Sequence, residues 1–165
     1  MKLDLGLCVV RSWASADLAP LVRHANDPRV SEHLRDRFPS PYTVGDGRRF
    51  LARLRRAPES TVWAVDVDGE AVGGIGIEIG RDNDLVSAEI GYWLGHAHCG
   101  RGVGTAALTG VSQYVLEHFQ LTRVFALPFA DNAGSIRVLE KSGYVLEGRL
   151  RRSAEHDMRF LAVLD

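Results

Sequence analysis

The chain has 165 residues, of which 45% are hydrophobic and 25% charged, with a formal net charge of −1. These values suit one soluble globular domain, residues 1–165, with a substantial core, and they argue against an overall basic field that would bind nucleic acid or an acidic membrane surface. Two cysteines far apart, Cys8 and Cys99, give no disulfide framework and fit a reduced, cytoplasmic protein. No run reaches membrane-spanning length and the first residues lack a signal peptide's apolar stretch, so neither membrane nor secretion is expected.

Taken in order, Leu5 to Trp13 alternates loosely and reads as a first strand. Ser15-Ala16-Asp17 offers a cap for a helix to about Asn26, and Pro28 opens a second helix to Arg35. Asp36 to Tyr42, with two prolines and two aromatics, reads as a loop of restricted geometry. Thr43-x-x-Asp46 resembles a capping box for a helix to about Ala57, which carries Arg48, Arg49, Arg53, Arg55 and Arg56 around Phe50, Leu51 and Leu54. That face reads either as a patch for acidic protein or RNA or as a solvated surface. Thr61 to Val67 is a strand, Asp68-Gly69 a tight turn, and Ala71 to Ile79 a second strand whose three glycines suggest a bulge or a closely approaching chain. Gly80 to Asp84 turns into a third strand, making an antiparallel meander.

That third strand, Leu85 to Leu94, leads into the most informative stretch. Gly100, Gly102 and Gly104 alternate with Arg101 and Val103, and Thr105 to Leu116 then reads as a helix. Glycines at this spacing let backbone N–H groups approach a ligand, and the helix start adds donors and the positive end of its dipole. Such a cradle suits phosphate or pyrophosphate, with Arg101 supplying charge. The loop lacks the G-x-G-x-x-G and G-x-x-x-x-G-K-[ST] patterns of dinucleotide and triphosphate sites, and taken alone it also reads as a plain strand-to-helix turn. His96-x-His98-Cys99 carries zinc-type donors, but no second ligand pair lies near, and no metal is expected. Thr122 to Leu127 is a further strand, a helix follows from about Asn132 to Ser142 ended by Gly143, and Tyr144–Leu150 and Met158–Leu164 close the chain. The order implies an α/β (α+β) fold: a mixed, mostly antiparallel sheet of about seven strands with helices on both faces.

EIGYWL, then GRGVGT, then N-x-x-S-x-x-x-LEKSGY followed by EGRLR, in this order and at these distances, resembles the GNAT superfamily of N-acetyltransferases, and more closely its RimJ/RimL-type branch. The resemblance covers nearly the whole chain, FPSPYT included. It implies that the family's fourth and fifth strands splay apart and admit the pantetheine arm of acetyl-CoA, the co-substrate. Trp93 and Leu94 match the residues whose backbone pairs with that arm, and a fixed N–H there would stabilise a developing oxyanion. Cys99, Gly100, Arg101, Gly102, Val103, Gly104 and Thr105 match the pyrophosphate loop, with Cys99 in place of the family's Gln or Arg. Asn132 matches an asparagine that holds pantetheine, and it also reads as a helix N-cap. Ser135 matches a serine near the cofactor sulfur. Many relatives carry a tyrosine general acid where this chain has Leu139, which leaves Ser135 as the candidate donor. Glu89 is the candidate base by resemblance, with Glu78 as the alternative; a half-buried ion pair is the structural reading of Glu89.

The resemblance implies direct attack of an amine on the thioester, without metal. An α-amine, with a pKa near 7.7–8.0, is about one-tenth neutral at pH 7 while lysine is almost wholly charged, so an N-terminal acceptor asks for only a mild base. The expected acceptor is a protein or peptide N-terminus. A small-molecule amine (aminoglycoside, polyamine or amino-acid derivative) is the alternative, and a non-catalytic acyl-CoA-binding regulatory module the reading from another class. The final strand is short beside those of relatives, which reads either as a weakened wall of the amine pocket or as an edge on which a homodimer partner pairs.

Overall fold

The computed structural model describes residues 1–34, 38–57, 60–80, 86–151 and 158–164. Its elements are β1 (Lys2–Asp4), β2 (Val9–Arg11), α1 (Leu18–Ala25), α2 (Pro28–Ser31), α3 (Val44–Arg55), β3 (Val62–Val67), β4 (Glu70–Ile79), β5 (Ser87–Leu94), α4 (Val103–His118), β6 (Arg123–Ala126), α5 (Ala133–Lys141), β7 (Val145–Arg151) and β8 (Met158–Leu164). The strand order is β1-β2-β3-β4-β5-β6-β8-β7. Pairing is antiparallel in every register read from the described residues except that of β5 with β6, which is parallel. This is the mixed, mostly antiparallel sheet expected from the chain order.

The first stretch differs from expectation. Leu5 to Trp13 is not one strand, because Gly6 takes φ +75° and Asp4 accepts its N–H at 3.0 Å. Leu5 N–H then reaches the Cys8 carbonyl at 2.9 Å, and a hairpin forms; the sheet has eight strands instead of about seven. The second helix stops at Ser31, while Arg35 lies outside the described residues. Most of the expected Gly80–Asp84 turn and Leu85 also lie outside them. Among the described residues, no helix is long and apolar enough to cross a membrane.

Contacts group the chain into two compact units. The first comprises Met1–Gly76 and Tyr92–Ala107. In it Leu21 and Ala25 of α1 bury against Tyr42, with Trp13, Phe50, Leu51 and Trp93 packed around them. α3 starts as its sequence foretells: Thr43 N–H donates to the Asp46 carboxylate at 2.9 Å and Asp46 N–H returns to the Thr43 hydroxyl at 3.2 Å. Asp68 (φ +54°) and Gly69 (φ +86°) make the left-handed pair of a two-residue hairpin between β3 and β4. A buried ion cluster ties three elements of this unit. Arg11 on β2 donates to both oxygens of Asp17 at 2.8 and 2.9 Å and to Asp66 on β3 at 2.7 Å.

The second unit comprises Ile77–Gly91 and Leu108–Asp165. Leu108, Val111 and Val115 of α4 recur at helical spacing and are 0% exposed, each contributing about 1.5–3 kcal/mol by leaving water. Ser112, on the same buried face, is satisfied by the Tyr144 hydroxyl at 2.7 Å. β6 lies between the parallel neighbour β5 and the antiparallel β8.

Candidate active site

In the first unit, β4 and the end of β5 approach at a run of glycines. The Gly95 N–H donates to the Val72 carbonyl at 2.7 Å. A Cβ on Gly73 would stand 2.5 Å from the Trp93 carbonyl oxygen, and one on Gly74 2.7 Å from the Trp93 indole nitrogen. The glycines foreseen as a close approach of another chain therefore receive the backbone and ring of Trp93. That ring also neighbours Phe38, with centroids 6.0 Å apart, and Phe38 neighbours Tyr42 at 5.1 Å. The Trp13 indole N–H is buried beside this wall and, among the described residues, has no hydrogen-bond partner.

After Leu94 the chain makes a single 3-10 turn over His96–His98 and enters the glycine loop. Gly100 (φ +73°) and Gly102 (φ +82°) take the left-handed conformation that other residues rarely adopt. Cys99, Gly100, Arg101 and Gly102 are all exposed. α4 begins at Val103, two residues earlier than expected, and its first bond runs from Ala106 N–H to the Gly102 carbonyl at 2.9 Å. Gly104 and Thr105 thus belong to the first helical turn, at the positive end of the dipole. The loop presents backbone donors and the Arg101 cation to solvent, which is what binding a phosphate or pyrophosphate requires. Although Cys99 is exposed as a residue, its sulfur lies against the Gly95 carbonyl at 3.8 Å, and this partial desolvation raises the thiol above its ordinary pKa, so it is not an activated nucleophile.

Of the two histidines of this turn, His96 is exposed and His98 faces inward. The His98 ring meets His24 edge-on at 5.3 Å, and His24 Nε2 bonds the Glu70 carboxylate at 2.6 Å. Burial, then the neighbouring His24, hold the His98 pKa below its ordinary value. Among the described residues, no group of three or more His, Cys, Asp or Glu side chains forms a metal-ligand set.

In the second unit, Asn132 caps α5 and its side-chain oxygen accepts the Ser135 N–H at 2.9 Å, bringing these two candidates to one helix start. Leu139 is a core residue at 2% exposure, so the position where many relatives carry a tyrosine is buried here. Glu89 is half-buried on β5 opposite Phe125 of β6; Glu78 on β4 is exposed. The β5–β6 ladder runs only from Ser87–Arg123 to Glu89–Phe125, although β5 continues to Leu94.

Reading the sequence missed the cluster of Arg11, Asp17 and Asp66. A signal existed: Asp66 sits inside the apolar strand TVWAVDV, and a carboxylate buried there demands a cation.

The chain belongs to the acetyltransferase (GNAT) domain family, whose model matches residues 8–145 and so reaches into both units. It is 38% identical over 86 residues to the probable N-acetyltransferase YjcK of Bacillus subtilis (strain 168), covering 49% of this chain and 48% of that protein. It is 31% identical over 126 residues to the putative ribosomal N-acetyltransferase YdaF of the same organism, covering 73% of this chain and 66% of that one. The chain thus spans about half the length of the first relative and 66% of the second. Among solved structures, Mycobacterium smegmatis RimJ in complex with CoA-disulfide superposes with a TM-score of 0.84 at 25% identity, over 97% of this chain and 82% of that one.

Proposed function

We propose that the chain, acting as one domain, is an acetyl-CoA-dependent N-acetyltransferase whose acceptor is the α-amine of a protein or peptide. The observation that carries this is the exposed loop from Cys99 to Gly102, with two left-handed glycines, opening into α4 directly after β5. Family membership supports the activity, and the ribosomal name of YdaF supports a protein acceptor.

In this reading Gly100 to Thr105 take the pyrophosphate on backbone N–H groups, with Arg101 beside it. The Trp93–Leu94 backbone pairs with the pantetheine arm, and the Leu94 N–H faces the thioester carbonyl as negative charge develops there. Glu89, directly or through water, accepts the proton from the ammonium. The amine forms the new C–N bond, the C–S bond breaks, and the second proton leaving the nitrogen passes through Ser135 or water to the departing thiolate.

The first test is thermal unfolding with and without acetyl-CoA. At a hundredfold excess over its dissociation constant the ligand adds about 2.7 kcal/mol, a rise of roughly 5–10 °C for a chain of this size. No rise at saturation would overturn the acetyl-CoA reading. Thiol release with peptides blocked or free at the α-amine, against small amines, then identifies the acceptor.

Asn132 separates capping from cofactor binding. Asn132→Ala should lose about 1 kcal/mol of stability with the cap. Asn132→Asp keeps the acceptor oxygen and therefore the stability, but lacks the amide donor and should weaken acetyl-CoA about fivefold to tenfold. Unchanged affinity in the aspartate variant would confine Asn132 to the cap.

A further inference from the structure

α3 runs against the rest of the chain in charge. Between Val44 and Ala57, five arginines stand against one aspartate, Asp46, giving +4 in a chain of net −1 and leaving −5 elsewhere. Arg48, Arg49, Arg53, Arg55 and Arg56 are all exposed. Asp46 pairs with Arg49, and Arg53 lies over the Phe50 ring at 5.6 Å. Among the described residues, Arg48, Arg55 and Arg56 enter no ion pair. At 3.6 residues per turn the arginines share one arc of roughly 160°, with Phe50, Leu51 and Leu54 on the other side.

Helix stability accounts for only part of this. Arg55 and Arg56 complement the negative C-terminal end of the dipole and Arg49 pairs with Asp46, but Arg48 lies outside both end turns and gains from neither. The inner face supplies a second constraint. Phe50 and Leu51 pack on the same core as Trp93, so the arginine face is held in register with the end of β5. A helix is about 10–12 Å across, and an extended peptide advances roughly 3.3–3.6 Å per residue. A peptide whose first residue lies at Trp93–Leu94 therefore needs at least about four further residues to come level with the arginines.

We propose that the outer face of α3 docks an acidic acceptor polypeptide, through Asp or Glu side chains roughly four to eight residues after the acetylated amine. The inference rests on the protein-acceptor reading above. It favours polypeptide over RNA because α3 is only about 18 Å long, while tight nucleic-acid binding draws on roughly 6–10 phosphate contacts. The net negative charge elsewhere on the chain opposes a polyanion that extends beyond the helix.

The test is fluorescence anisotropy with a labelled peptide bearing a free α-amine and aspartates at positions 4–8, against its asparagine counterpart. The acidic peptide should bind about tenfold more tightly at low ionic strength, the sum expected of a few exposed ion pairs, and the gap should close in 0.5 M salt. The R48Q/R55Q/R56Q variant should lose the same preference with its acetyl-CoA-induced thermal shift intact. R48Q alone, remote from the last turn, should lose about twofold to threefold, which guards against a folding defect in the triple variant. Equal affinity for the two peptides overturns the proposal, as does a single-stranded RNA 12-mer that outcompetes the acidic peptide in a manner lost in the triple variant. Thiol release separates the two readings. Acetylation indifferent to the aspartates overturns the docking face and keeps the protein acceptor. Salt-dependent binding without acetylation overturns the protein acceptor and keeps the docking face.

Discussion

Arg11→Ala should cost about 3–5 kcal/mol at pH 7, read as a fall in the urea midpoint, because it strands two carboxylates. Asp17 and Asp66 are 5% and 7% exposed, and the single guanidinium between them pairs with both and offsets one of their two charges. Burial alone would raise the Asp17 pKa; the bond from Arg11, the Ala14 N–H at 2.7 Å and the Arg11 charge outweigh it and carry the carboxyl below its ordinary 3.8. A depressed carboxyl contributes stability above its unfolded pKa and loses it as pH falls through the folded one. The native protein therefore loses this contribution as pH drops below about 3.8. In the variant, protonation relieves the stranded charge, so the gap between the two proteins should narrow at pH 3. A gap constant from pH 7 to pH 3 would mean that packing, not charge, is what Arg11 supplies. Arg11→Met combined with Asp17→Asn and Asp66→Asn should recover much of the loss, since removing a whole buried ionic cluster is far cheaper than removing one partner.

Gly73→Ala should cost about 3 kcal/mol, at the upper end of overpacking substitutions. The new methyl would meet the Trp93 carbonyl oxygen at 2.5 Å and the Leu94 Cα at 3.1 Å. Both are backbone atoms, and β5 is tied to β4 by the bond between Gly95 and Val72, so neither can rotate away. Gly74→Ala is the control. Its obstacle is the Trp93 side chain, with the indole nitrogen at 2.7 Å, and a ring shift lowers the cost to about 1 kcal/mol. Urea midpoints of the two variants measure the difference. Equal midpoints would show that β5 moves as freely as a side chain. Because the Trp93–Leu94 backbone is the proposed thioester clamp, Gly73→Ala should also lower kcat, whereas the loop from Cys99 to Gly102 keeps its geometry.

Much of the architecture was legible in the amino-acid order because short-range physics dictates it. Thr43 and Asp46 announce the start of α3, Asp68-Gly69 allows the left-handed pair its hairpin needs, and Gly100 and Gly102 mark a loop that leaves β5 for α4. The run from Cys99 to Thr105 is contiguous, so the glycine turn it makes could be inferred from spacing alone. Where local signals compete, reading failed: Gly6 inside an otherwise strand-like stretch turned one expected strand into a hairpin.

Sequence by itself determined the family, the order of elements and the glycine loop, all features set within a few neighbouring residues or by motifs in series. Tertiary structure alone decided the partners of buried charges and the use of paired glycines. Arg11, Asp17 and Asp66 meet across fifty-five positions of chain. Gly73 is required by a carbonyl twenty residues away. Such contacts follow from strand register and packing, which no local propensity encodes.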